Sequence, residues 1–211
     1  MLHLVASTAG ALLSPEAAHV IAAGGVHRER NFVAGPLVAA LRSRFGDYNW
    51  VPGESFSSNG RQDGLRHALT ARPNVNDDTF YELYESLDDA RLELSRGLGV
   101  DLSAGFEATF VVYPEGGFYR RHIDSVSGSD QPTAPRKISF IAYLNDDVPW
   151  APSDGGALRC YDGAPPTASD ESFVDVLPES GSLVLFDSKS VWHEVLPTRR
   201  ERACLVGWFR T

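Results

Sequence analysis

A chain of 211 residues, 43% apolar and 22% charged, has the composition of an ordinary globular protein and the length of one domain with a sizeable core. Its 28 acidic and 19 basic residues leave a formal charge of -9, without the basic stripe that nucleic-acid binding needs. Two cysteines, Cys160 and Cys204, make no disulfide framework and suit a reducing cytoplasm.

The chain opens on an apolar stretch, "MLHLVASTAGALLSPEAAHVIAAGG". It has no basic leader and is interrupted by Ser14-Pro15-Glu16, so neither a signal peptide nor a membrane span is expected. Ser14-Pro15-Glu16 instead reads as a helix start, with the helix running to Gly24-Gly25. A second helix is expected over Pro36 to Phe45, with Leu37, Leu41 and Phe45 on one face. Residues 46–64, rich in turn formers and aromatics, read as a long loop or irregular strands. The clearest helix spans about Asp77 to Arg96; Phe80, Leu83, Tyr84, Leu87, Leu92 and Leu94 recur near helical spacing, and Gly97 is expected to stop it.

After Gly105 the texture changes. "FEATFVVYP", "KISFIAYLN", "GALRCYD", "FVDVLP", "SLVLFD", "VWHEVLP" and "ACLVGWF" are short β-branched and aromatic runs separated by Gly, Pro, Asp and Ser. They predict an antiparallel sandwich or barrel and an α+β fold in one domain, with residues 1–104 mainly helical support and 105–211 the core.

Within "YRRHIDS", His122 and Asp124 are two apart, so on a strand both side chains face one side. An Fe(II) site of two histidines and one carboxylate needs one more imidazole. Of six histidines, only His193 lies with His122 in the strand-rich half, within "SVWHEVLP". Alone the pair is weak. His27 and Glu29 repeat its spacing, in a turn-prone, helical neighbourhood that is not expected to converge their side chains. A polar strand edge remains the bland reading of His122 and Asp124. The stretch "HEVLPTRRER" adds weight, because a hairpin turning at Pro197-Thr198 would set Arg202 near His193, where a guanidinium could receive a carboxylate. Arg199 and Arg200 read as a solvated charge cluster.

"YPEGGFYRRHID", "RKISFIAYLN", "GGALRCYDG", "GSLVLFDSKSVWHEV" and "RACLVGWF" carry a resemblance. In their order and spacing, from Phe106 to Phe209, the chain resembles the iron(II)- and 2-oxoglutarate-dependent dioxygenases. It is most similar to the prolyl hydroxylase branch, including oxygen-sensing enzymes and bacterial relatives. The resemblance implies a double-stranded β-helix, a jelly roll with helices packed on one sheet. It implies Fe(II) held by His122, Asp124 and His193, with 2-oxoglutarate and O2 as cosubstrates and ascorbate as reductant. Arg202 and Tyr143 would hold the distal carboxylate of 2-oxoglutarate, and Tyr113 would lie near its keto-acid end. Arg136 and Trp208 match positions on the substrate side. Asp124 speaks against the halogenating relatives, which carry a small residue there.

The activity implied is hydroxylation of a C–H bond, most naturally of a prolyl residue in a protein or peptide, with release of succinate and CO2. A free amino acid or other metabolite is the alternative substrate, which would call for a closed pocket with a second ionic clamp. A non-catalytic jelly-roll binding module would be expected to lose Arg202 or a ligand. A zinc hydrolase could use the same triad but has no need of Arg202. Residues 46–64, 125–135 and 147–156 are candidate walls of the site. No nucleic-acid or membrane partner is expected.

Overall fold

The computed structural model describes residues 13–53, 56–57, 60–61, 64–125, 135–162 and 172–211. The start of the chain, most of the expected lip at 125–135 and six of the ten residues 54–63 lie outside them. Helix α1 (Ala17–Ala22) follows Ser14-Pro15-Glu16, and α2 (Gly35–Ser43) buries Leu37, Val38 and Leu41. The chain then tightens into a 3-10 turn at Phe45–Asp47, so Phe45 reaches the core from beyond the helix rather than from its last turn.

Helix α3 (Asp78–Leu98) starts where the Asp77 carboxylate accepts the Thr79 N–H at 2.9 Å. Phe80, Leu83, Leu87, Ala90 and Leu94 form its buried stripe, while Leu92 turns outward. Gly97 does not end it. The helix runs on to Gly99, whose φ of +62° supplies the left-handed cap. Gly97 is instead a contact point, since a Cβ there would sit 2.6 Å from the Ala18 Cβ of α1.

The strands are short. β1 (His27–Glu29), β2 (Val51–Pro52), β3 (Phe56–Ser57), β4 (Gly60–Arg61), β5 (Arg66–His67) and β6 (Leu69–Ala71) come from the first half. β7 (Glu107–Tyr113), β8 (Phe118–His122), β9 (Arg136–Tyr143) and β10 (Leu158–Tyr161) follow, then β11 (Phe173–Val176), β12 (Leu183–Asp187), β13 (Trp192–Val195) and β14 (Arg202–Arg210). They build a seven-stranded sheet in the order β1-β12-β9-β14-β7-β6-β2 and a five-stranded sheet in the order β11-β10-β13-β8-β5, with β3 and β4 a separate ribbon. The pairings are antiparallel, as a jelly roll requires. The expected divide at residue 104 is not sharp. β1, β2 and β6 widen the larger sheet and β5 the smaller, in runs of two or three residues that are too short to show alternation.

Both faces of the larger sheet are buried. Phe110, Ile138, Phe140, Ala142, Leu183, Leu185, Leu205 and Phe209 face the helices in one core. The alternate residues Val111, Tyr113, Ile141, Tyr143, Val184, Phe186 and Cys204 face the smaller sheet in a second core. By the same alternation Ser139, Arg202 and Trp208 belong to the barrel interior. Among the described residues, no helix is long and apolar enough to cross a membrane.

Gly97→Ala tests the α1–α3 contact. Alanine is the better helix former by about 1 kcal/mol, yet overpacking against Ala18 is expected to cost about 1–3 kcal/mol. The expected result is an unchanged or lowered urea midpoint; a clear rise would mean that the helices are not in contact at that point.

Candidate metal centre and anion pocket

His122 is the last residue of β8, and Asp124 lies just past it. The expected strand geometry therefore holds for only one of the pair, and the chain brings Asp124 back beside His122 after the strand has ended. His193 arrives from β13, directly opposite His122 in the ladder. One ligand atom from each of the three lies within 4.8 Å of the others. His122 Nε2 stands 3.5 Å from Asp124 Oδ1, and His193 Nε2 stands 3.7 Å from Asp124 Oδ2.

Each imidazole is oriented by its other nitrogen. His122 Nδ1 lies 2.8 Å from the Arg120 carbonyl, and His193 Nδ1 lies 3.1 Å from that of Val191. Both Nδ1 atoms are thereby assigned as N–H donors, which leaves the Nε2 lone pairs aimed at the shared point. Burial holds His193 down at about 4, so its imidazole is neutral and free to ligate at neutral pH. Burial alone would raise the Asp124 carboxyl. The Ser139 hydroxyl bond and the positive charge that either imidazole would carry if protonated outweigh it, and the Asp124 carboxyl stands well below the usual carboxylate range. Ser139 Oγ donates to Asp124 Oδ2 at 2.7 Å and lies 2.9 Å from Ser188 Oγ, with both serines fully buried. Sequence reading missed these two hydroxyls, since serine in a strand carries no signal of what it supports.

His27 and Glu29, expected not to converge, do converge. They sit on β1 with His27 Nε2 3.1 Å from Glu29 Oε2. Glu29 also accepts the Ser14 N–H and Oγ–H, each at 2.8 Å, and so ties α1 to the sheet edge. No third ligating group joins them among the described residues, where the His122, Asp124 and His193 cluster is the one grouping suited to a metal.

Arg202 is 1% exposed, but not for the expected reason. β13 and β14 are not a hairpin: β13 lies in the smaller sheet between β10 and β8, β14 in the larger between β9 and β7. Residues 196–201 cross between the sheets, and Arg202 enters the barrel opposite Tyr113. Its Nε donates to the Gly156 carbonyl at 2.9 Å, and its Nη2 to the Tyr143 hydroxyl at 3.3 Å. The guanidinium carbon lies 4.9 Å and 5.0 Å from the ring centres of Tyr113 and Tyr143. No carboxylate faces it among the described residues. Burial pushes both phenols up, so each remains a hydroxyl. Cys160, across the ladder from His193, is pushed up to about 12 by burial and stays a thiol rather than a thiolate ligand.

Arg136 and Trp208 come together, with the guanidinium carbon 3.5 Å from the indole ring centre. Arg136 also pairs with Glu107 at 3.1 Å and donates to the Asp124 carbonyl at 3.3 Å. Of the expected walls, 147–156 contributes the Gly156 carbonyl to Arg202.

Two imidazoles and one carboxylate are the donor set of a facial Fe(II) site, and a buried arginine with no acid beside it among the described residues suits a dicarboxylate cosubstrate. The comparisons with known proteins agree. A sequence model described as 2OG-Fe(II) oxygenase superfamily matches residues 108–210. A Pseudomonas putida prolyl-4-hydroxylase is 32% identical, with a TM-score of 0.76 over 93% of this chain and 97% of that one. A Trichoplax adhaerens prolyl hydroxylase, solved with a hypoxia inducible factor peptide fragment, shares the fold at 20% identity, with a TM-score of 0.73 over 93% and 90% of the two chains. A viral collagen prolyl hydroxylase from Paramecium Bursaria Chlorella virus-1 does so at 16% identity and 0.62, over 88% and 96%.

Ser139→Ala removes the hydroxyl that holds Asp124 Oδ2. Divalent-metal affinity, measured by chelator competition, is expected to fall about 10–100-fold, with Ser139→Thr retaining most of it. Unchanged affinity in the alanine variant would exclude the support role.

Proposed function

The chain belongs to the 2OG-Fe(II) oxygenase superfamily, and on that premise we propose that it hydroxylates a prolyl residue in a protein or peptide. It is a 2-oxoglutarate-dependent dioxygenase of the prolyl hydroxylase-like kind. The observation that carries the reading is one barrel interior holding both a His-Asp-His donor set and a buried arginine that has no acid partner among the described residues. A non-catalytic module needs neither.

In this reading His122, Asp124 and His193 hold Fe(II) through two neutral nitrogens and one carboxylate, leaving coordination positions for other ligands. Bound iron supplies the oxygen chemistry by which 2-oxoglutarate and O2 become succinate and CO2 while a substrate C–H becomes C–OH, with ascorbate as reductant. Arg202 donates to the distal carboxylate of 2-oxoglutarate, and the Tyr143 hydroxyl beside it adds a second donor. Tyr113 closes the wall next to Arg202. Arg136, fixed by Glu107 and stacked on Trp208, borders Asp124 and faces the substrate side. The apolar residues of the inner core keep water from the reacting atoms. Two buried free thiols support a cytoplasmic setting.

The test incubates the protein with Fe(II), ascorbate, 2-oxoglutarate and proline-containing peptides. It follows succinate release and the gain of one oxygen atom by mass spectrometry. His193→Ala is expected to abolish turnover while the circular dichroism spectrum is kept; full activity would mean that the triad is wrong. Arg202→Ala is expected to weaken 2-oxoglutarate binding by at least about 30-fold, the loss from removing one partner of a buried charge pair. Binding that is indifferent to that change would remove Arg202 from the cosubstrate pocket.

A further inference from the structure

A second arginine faces the barrel interior. Arg66 is the first residue of β5, at the edge of the smaller sheet, and pairs with Tyr119 of β8. Tyr119 lies opposite Val195 and His122 opposite His193, so β8 spends three residues where β13 spends two. That bulge turns Tyr119 and His122 to the same inner side, where their rings stack 3.7 Å apart at 21°. The Arg66 guanidinium carbon then lies 4.8 Å from the Tyr119 ring centre and 5.9 Å from that of Tyr113. A single aromatic ring separates Arg66 from a residue of the metal cluster.

Among the described residues, the charge at this position is unmatched. Arg136 has Glu107, Arg159 has Asp175 and Arg91 has Asp88. Arg66 has no acidic partner among the described residues, and its buried Nε has no hydrogen-bond partner. Arg202 also lacks an acidic partner among the described residues, but its Nε donates to the Gly156 carbonyl and its position differs. Arg202 is sealed in the barrel on the larger sheet, whereas Arg66 stands partly exposed on an edge strand of the smaller one. Aromatic faces offset part of the cost of burying a cation, and an anion offsets it better.

We propose that Arg66 is the receptor for a carboxylate of the substrate. The inference rests on the hydroxylase reading above. 2-Oxoglutarate has two carboxylates, one assigned to Arg202 and the other, beside the keto group, to the metal side. An additional inward cation at the rim therefore has a third carboxylate to meet, and that one belongs to the molecule being hydroxylated. It can be the acidic side chain of a residue next to the target in a peptide, or the free carboxyl group of a C-terminal or single proline. The planar guanidinium fork takes either in the same bidentate way.

The probes are N-acetylproline, its uncharged amide, and N-acetyl-Pro-Glu and N-acetyl-Pro-Lys as C-terminal amides. Binding is measured by calorimetry on the full chain loaded with Mn(II), which replaces the reactive iron, and 2-oxoglutarate. At least one carboxylate probe is expected to bind about 10–100-fold more tightly than the uncharged amide, the advantage of a charged hydrogen bond. Whether N-acetylproline or the glutamate peptide wins identifies the source of the carboxylate. The advantage is expected to vanish in Arg66→Gln and to pass to the lysine peptide in Arg66→Glu. Arg66→Lys, which keeps the charge without the fork, covers a folding failure of the other two and is expected to retain part of the preference.

Equal binding of all probes by the wild type, no binding of any, or a preference that survives Arg66→Gln overturns the proposal. So does a matching loss of 2-oxoglutarate affinity in Arg66→Gln, which would give Arg66 to the cosubstrate. An Arg66-dependent preference without oxygen transfer to any proline probe would instead sink the hydroxylase reading and leave the carboxylate receptor standing.

Discussion

A β-sheet covered on both faces leaves none of its residues to water, so each strand position must satisfy one of two dry environments. Here the helices set the outer one and the smaller sheet the inner one. Phe140 and Ala142 must fit against α3 and its neighbours, while Ser139, Ile141 and Tyr143 are forced into the barrel. Once that parity is set, Arg202 has nowhere to go but inward, since Ala203 and Leu205 occupy the other side of its strand. A buried guanidinium must then find donors' partners among carbonyls and hydroxyls, and Gly156 and Tyr143 provide them. The inward placement of Arg202 is in this sense a by-product of packing.

Charge in the interior is arranged in two ways. Asp124 accepts the Ser139 hydroxyl and lies between two histidines, and its carboxyl stands well below the usual carboxylate range although burial opposes that. The arginines facing the cavity have no carboxylate beside them among the described residues. Aromatic rings and neutral oxygens surround Arg202, and tyrosine faces surround Arg66. Inward arginines with no acid beside them keep their best electrostatic interactions for molecules that arrive from solution.

Much of this was legible in the residue order, and the failures have identifiable causes. Strands of four or more residues announced themselves as β-branched and aromatic runs, and the buried stripe of α3 through its helical spacing. Two- and three-residue strands such as β1 and β5 did not, because a period of two cannot be seen in two residues; Arg66 was missed with β5, and the convergence of His27 with Glu29 was missed with β1. Hairpin logic placed Arg202 near the site by a wrong route, since a short connection can cross between sheets as easily as it can turn within one. Gly97 looked like a stop and is a contact, because sequence does not display the neighbouring helix. Tyr119 lay on the wrong face by simple alternation until the bulge reversed it.

The stretch matched by the superfamily model begins at residue 108, and the triad, Tyr113, Tyr143 and Arg202 all lie within it. Arg66 does not. It stands on a two-residue strand attached to the rim of the barrel from outside that stretch, in contact with Tyr113 and Tyr119 but with no backbone role in the metal cluster. The inward arginine at the rim and the His-Asp-His cluster thus come from separate lengths of chain. Exchanging the Arg66 side chain leaves untouched the ladder between β8 and β13 that sets His122 against His193.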